Sequence, residues 1–145
     1  MIQVIFPEPG FKTKKENGTG WIFDEIRKSW LVMTDEEWVR QNFIQFLIQT
    51  CNYPAAYIAV EKEIMLGELK KRFDILVYDK QHRPWMMIEC KGPDIMLNEE
   101  TLQQVLRYNI SVPVQYLLIT NGEYCFAWER KEGKLFSIST IPDHV

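Results

Sequence analysis

Apolar positions recur along this chain with two different periods, and the switches between them predict its elements. In residues 34–51, TDEEWVRQNFIQFLIQTC, the positions Val39, Phe43, Phe46, Leu47 and Thr50 fall at helical spacing and predict a buried stripe. Thr34 and Glu37 read as a capping box at its start, and Tyr53-Pro54 as its end. Residues 97–109, LNEETLQQVLRYN, predict a second helix. Asn98 stands as its N-cap, Glu99 and Glu100 suit its positive end, and Leu102, Val105, Leu106 and Asn109 mark its inner side. Between the two helices, residues 57–66 read as a strand closed by Gly67, and residues 73–92 as two strands around a polar turn near residues 80–84. After the second helix, VQYLLIT and EYCFAWER flank Asn121-Gly122 as a hairpin, and KLFSIS adds one more strand. Ahead of the first helix, residues 8–20 read as a loop solvated by Lys12, Lys14 and Lys15, and residues 21–33 as two short strands. The order helix, three strands, helix, two strands predicts an α/β (α+β) fold: a mixed central sheet flanked by helices.

Composition narrows the class. A chain of 145 residues, 46% hydrophobic, suits one domain, with residues 1–33 as an N-terminal extension and 34–130 as the core. The start lacks a signal-peptide pattern, and no stretch approaches the roughly 20 apolar residues needed to cross a bilayer. Three cysteines without a CxxC pair suggest neither a disulfide framework nor a zinc site, so a reducing, cytoplasmic compartment is expected. A net charge of -3 lacks the signature of a tight, nonspecific DNA binder. It leaves nucleic acid open as a substrate, because a carboxylate site carries part of its phosphate affinity in a bound cation.

The stretch FDILVYDKQHRPWMMIECKG raises the chemical question. Trp85, Met86, Met87 and Ile88 are apolar on both faces, as in a central strand, yet Glu89 and Lys91 follow at its end. Those two share a face, roughly 6–7 Å apart. With a turn centred near His82, Asp74 lies almost opposite Glu89. Two facing carboxylates repel unless a divalent cation lies between them, and Mg²⁺ commonly uses one or two carboxylates beside water and phosphate oxygens. The Cys90 carbonyl is a further candidate ligand. Lys91 would then orient or deprotonate a metal-bound water, or offset charge on a phosphoryl group.

Phe73-Asp74 and Glu89-Cys90-Lys91 on adjacent strands resemble the PD-(D/E)XK nuclease superfamily, with Phe73 standing where that motif carries proline. Gln104 and Tyr108 match its QxxxY spacing on the next helix. Together with FDEIRKSWLVMTDEEWVRQNFIQFL and YLLITNGEYCFAW, the parts resemble the N-terminal nuclease domain of type I restriction enzyme R proteins over about residues 21–128. The resemblance implies an αβββαβ core, DNA as substrate, and phosphodiester hydrolysis dependent on Mg²⁺, with Mn²⁺ as substitute. It implies Asp74 and Glu89 as metal ligands with Cys90, Lys91 as a catalytic residue, Gln104 as an accessory catalytic residue, and Gln104 and Tyr108 as DNA contacts. The expected partners are DNA and either a second copy or separate motor and specificity subunits; no Walker A pattern is present.

Plainer readings stand beside these. Asp74 could pair with Arg72 or Lys71, and Glu89 with Lys91. Glu37 could line the site, although capping explains it. Trp21, Trp30, Trp38, Trp85 and Trp128 read as core or interface packing rather than stacking platforms. A competing function is a module on a nuclease-like fold that binds nucleic acid or a partner without cutting.

Overall fold

The structure, a computed structural model, describes the backbone of residues 1–145 and the side chains of residues 1–65 and 67–145. In chain order it contains β1 (Ile2–Gln3), β2 (Thr13–Glu16), β3 (Thr19–Asp24), β4 (Ser29–Val32), α1 (Asp35–Gln45), β5 (Ile58–Leu66), β6 (Leu69–Tyr78), β7 (Pro84–Cys90), α2 (Glu99–Asn109), β8 (Tyr116–Thr120), β9 (Tyr124–Lys131) and β10 (Lys134–Ile138). The main sheet runs β1-β9-β8-β7-β6-β5, with β10 also on β9. Only β7 and β8 pair in parallel, because α2 carries the chain across between them. This is the expected mixed sheet.

The helices cover opposite faces. Val39 and Phe43 of α1, with Leu47 just beyond its end, pack with Ile75, Val77, Met86, Ile88 and Leu118. Leu102, Val105 and Leu106 of α2 pack with Phe73, Leu76, Met87, Leu117 and Ile119. Met86, Met87 and Ile88 are fully buried, so β7 is the doubly covered central strand that its unbroken apolar run predicts.

The first helix departs from its predicted end. Regular α-helix stops at Gln45, and residues Phe46–Thr50 form a π-turn in which the Cys51 N–H reaches the Phe46 carbonyl. The wider turn rotates the last residues, so Thr50 is exposed. Only half of the capping box forms. Thr34 Oγ1 accepts from the Glu37 N–H at 3.0 Å, while the Glu37 carboxylate turns to other partners. Thr34→Ala is therefore expected to cost about 1 kcal/mol in urea denaturation.

The expected loop at residues 8–20 is corrected. It holds β2, which pairs with β3 across Asn17-Gly18 to form a three-stranded sheet β2-β3-β4. Both turn residues have positive φ (51° and 80°), a two-residue hairpin turn that Asn-Gly adopts at little cost.

Candidate active site

The β6–β7 hairpin sets the site. Its turn is closed by Asp79, whose backbone pairs with Arg83 and whose side chain accepts from the N–H groups of Gln81 and Arg83. The ladder runs to Ile75 opposite Ile88 and stops. One step further in that register, Asp74 faces Glu89. There the Cys90 N–H bonds to Asp74 Oδ2 at 2.8 Å in place of a backbone carbonyl. On the other side β7 stays anchored to β8, with the Lys91 N–H on the Thr120 carbonyl at 2.8 Å.

The strand is irregular at this point. Ile75 and Val77 pack towards α1, yet Phe73 packs towards α2 with Leu76. Side-chain alternation slips by one position across Asp74. Glu61, the matching position on β5, has φ 48°, a strained conformation for a residue with a side chain. The slip brings Asp74 within reach of Arg40 on α1 while leaving it close enough to Glu89 for the two carboxyl groups to interact.

On the α1 side Asp74 meets an arginine. Arg40 donates to Asp74 Oδ1 at 3.1 Å, Glu37 Oε1 at 2.7 Å and Glu36 Oε1 at 3.1 Å, and lies 3.2 Å from Glu61 Oε1. It is 4% exposed, and its Nε has no partner. Arg72, the other partner in the plainer reading of Asp74, pairs instead with Glu61 at 2.9 Å, and Arg27 bridges Asp24, Glu37 and Glu61. Burial pushes the Glu61 carboxyl up, but Arg40, Arg27 and Arg72 together hold it below the usual carboxylate value. Glu37 is thus a buried member of this arginine network. Glu36, one position earlier, is an α1 acid that feels the pair: burial and then the Asp74 charge push its carboxyl up, against Arg40 and Lys91.

On the α2 side, Glu89, Lys91, Gln104, Val105, Tyr108 and Asn109 line a cleft of about 320 Å³. All four of the sequence-selected side chains on that face are therefore brought together. Among the described residues Glu89 and Lys91 form no ion pair, so that plainer reading does not hold. Tyr108 is 72% exposed, with its ring over the ammonium of Lys71 at 3.5 Å from the centroid. Lys71 is itself buried and donates to the Tyr108 carbonyl (2.6 Å) and Asn109 Oδ1 (3.3 Å), which fixes the last turn of α2. The plainer reading that pairs Asp74 with Lys71 does not hold: Lys71 stands two positions before Phe73, on the α2 face, and lies under Tyr108.

Burial, then the Asp74 charge and a hydrogen bond shared with it, push the Glu89 carboxyl up to about 8. A carboxyl that holds its proton more tightly in the folded state stabilises the fold at low pH. That contribution is complete below the ordinary value of 4.5 and is lost as pH rises through 8. The metal-free protein is therefore expected to lose stability between about pH 5 and pH 8.5. Glu89→Gln should remove that slope and be more stable than wild type at the alkaline end, seen by urea denaturation at both pH values.

The donor set fits a hard divalent cation: two carboxylates with a repulsion to relieve, and the Cys90 carbonyl next to Glu89 on β7. Arg40 and the Cys90 N–H each take one lone pair of Asp74, and each carboxylate oxygen keeps another. Three or more acidic, histidine or cysteine side chains do not converge on one point among the described residues.

A family model described as the type I restriction enzyme R protein N terminus matches residues 35–142. No curated protein matches the chain. The matched segment begins at α1 and takes in both helices, the cleft and the side chains discussed above except Asp24 and Arg27; β2, β3 and β4 lie outside it.

Proposed function

The chain belongs to the family of the type I restriction enzyme R protein N terminus, and from that premise we propose that it is a nuclease that hydrolyses DNA phosphodiester bonds with the help of Mg²⁺ or Mn²⁺. The observation that carries the reading is the pair of carboxylates facing each other where the β6–β7 ladder opens, beside Lys91 in a cleft. Asp74, Glu89 and the Cys90 carbonyl would hold the cation. When bound, the cation acidifies a water and neutralises charge on the phosphoryl oxygens.

The remaining work falls to this chain's own groups. Lys91 Nζ offsets the charge that builds on the phosphate as water attacks phosphorus and one P–O ester bond breaks. Gln104 and Tyr108, one helical turn apart, place hydrogen-bonding groups along the cleft wall to position the strand. Lys71 holds Tyr108 in place from below. The attacking water gives up a proton to solvent and the departing oxygen takes one from it, because the cleft is open.

One observation favours a second reading, a nuclease-like module that binds without cutting. Arg40 already supplies Asp74 with a cation. The two readings separate in an assay of plasmid and single-stranded DNA with Mg²⁺, Mn²⁺ or EDTA. Metal-dependent strand scission supports the nuclease; intact DNA, with retained DNA binding by the folded protein, supports the module. DNA and further subunits carrying motor or specificity functions are the proposed partners.

A further inference from the structure

The small sheet β2-β3-β4 lies outside the matched family segment, and its outer face has a distinct chemistry. Phe23 and Trp30 are register partners, with ring centroids 5.3 Å apart at an interplanar angle of 70°. Trp21 and Val32 form the next pair on that face, two positions along. Ile22 and Asp24, on the opposite face, are fully buried against the body of the protein. The aromatics on the outer face are only half-buried, so they are not core residues.

Lysines frame these rings. Lys14 Nζ stands 4.4 Å from the Trp30 ring centroid, and Lys12 Nζ 5.9 Å from that of Phe23. Lys14 also reaches Glu16 at 3.1 Å, an exposed pair of little strength. Residues 12–33 carry five cations against three acids in a chain whose net charge is -3, so this sheet is a basic surface on an acidic protein.

We propose that this face binds single-stranded DNA, with bases stacked on Trp30 and Phe23 and the backbone phosphates held by Lys12 and Lys14. Aromatic rings and cations in alternation are the two elements of sequence-tolerant single-strand binding. A protein partner fits less well, because lysine is depleted from the buried centres of protein interfaces. The ammonium groups already stand near the rings, so a stacking base displaces Lys14 by a short rotation towards the neighbouring phosphate. The proposal does not depend on cleavage.

The test is fluorescence anisotropy of a labelled 12-nucleotide oligo-dT with the full chain in EDTA, from about 20 to 200 mM salt. Lys12 and Lys14 together should give a log–log salt slope of about -1.4. A Lys12→Gln/Lys14→Gln variant should lose that slope, and Trp30→Ala should weaken binding about tenfold or more. Phe23→Leu, which keeps apolar bulk without a flat ring, tests stacking if Trp30→Ala fails to fold. A duplex of the same length and an abasic 12-mer should both bind more weakly. The proposal is overturned if folded wild type does not bind at the lowest salt, if the glutamine variant binds unchanged, or if duplex or abasic oligomer binds as well as oligo-dT.

Discussion

Lys91→Ala is expected to lower metal-dependent DNA cleavage by about 10²–10³-fold, in kcat far more than in KM, while the protein melts within about 1 kcal/mol of wild type. Both halves follow from where the residue sits. Its backbone N–H closes the β7–β8 ladder at 2.8 Å, and alanine keeps that bond. Its side chain is in no ion pair among the described residues, so truncation leaves no charge stranded. What it loses is the ammonium on the wall of a cleft shared with Glu89, Gln104 and Tyr108. A group that matters chiefly when charge develops on phosphate affects the transition state more than substrate binding. A loss confined to KM would instead make Lys91 a DNA contact.

The second large effect is on stability. Arg40→Ala is expected to destabilise the protein by about 3–5 kcal/mol, lowering its melting temperature by about 10 °C or more. Arg40 is the hub of Glu36, Glu37, Glu61 and Asp74, and it is 4% exposed. Its removal leaves Glu37 buried with only Arg27 and Gln41, and Asp74 facing Glu89 without an ion-pair partner among the described residues. Arg40→Lys should recover little of the loss, since one ammonium cannot span four carboxylates as a planar guanidinium does. If Asp74 and Glu89 hold a divalent cation, millimolar Mg²⁺ should restore part of the stability of Arg40→Ala, a gain readable in the same melting curves. A variant that melts like wild type would show that the network contributes nothing net.

These two residues mark what was and was not legible in the sequence. The Asp74–Glu89 opposition was legible because strand register around a short turn is arithmetic: a turn centred near His82 places them face to face. Gln104 and Tyr108 were legible because a four-residue helical step keeps two side chains on one wall. Arg40 was not. Inside an amphipathic helix an arginine reads as a solvated residue, and its burial depends on acids contributed by three separate elements. Glu36 was missed for a related reason, since the capping motif drew attention to Glu37. The slip of alternation at Asp74 also has no sequence mark: the run RFDILVY alternates no differently from its neighbours. β2 did have one, the Asn17-Gly18 pair, but the lysines around it suggested a solvated loop. The structure shows that the same lysines lie beside aromatic rings. Thr50 fell off its predicted stripe because a π-turn changes the period that the stripe assumes.

The charges at the end of β7 thus form one system with α1 behind it. Glu89 holds its proton unusually tightly because it is buried opposite another carboxylate, a costly arrangement for an ordinary strand end. Under the proposed function, a bound cation would turn that cost into affinity. Calorimetric titration of Mn²⁺ into the protein at pH 8, with Glu89→Gln alongside, tests this most directly. The account predicts a saturable site in wild type, with proton release from Glu89, that is lost in the variant. Absence of binding by the folded wild type, or equal binding by Glu89→Gln, would contradict it.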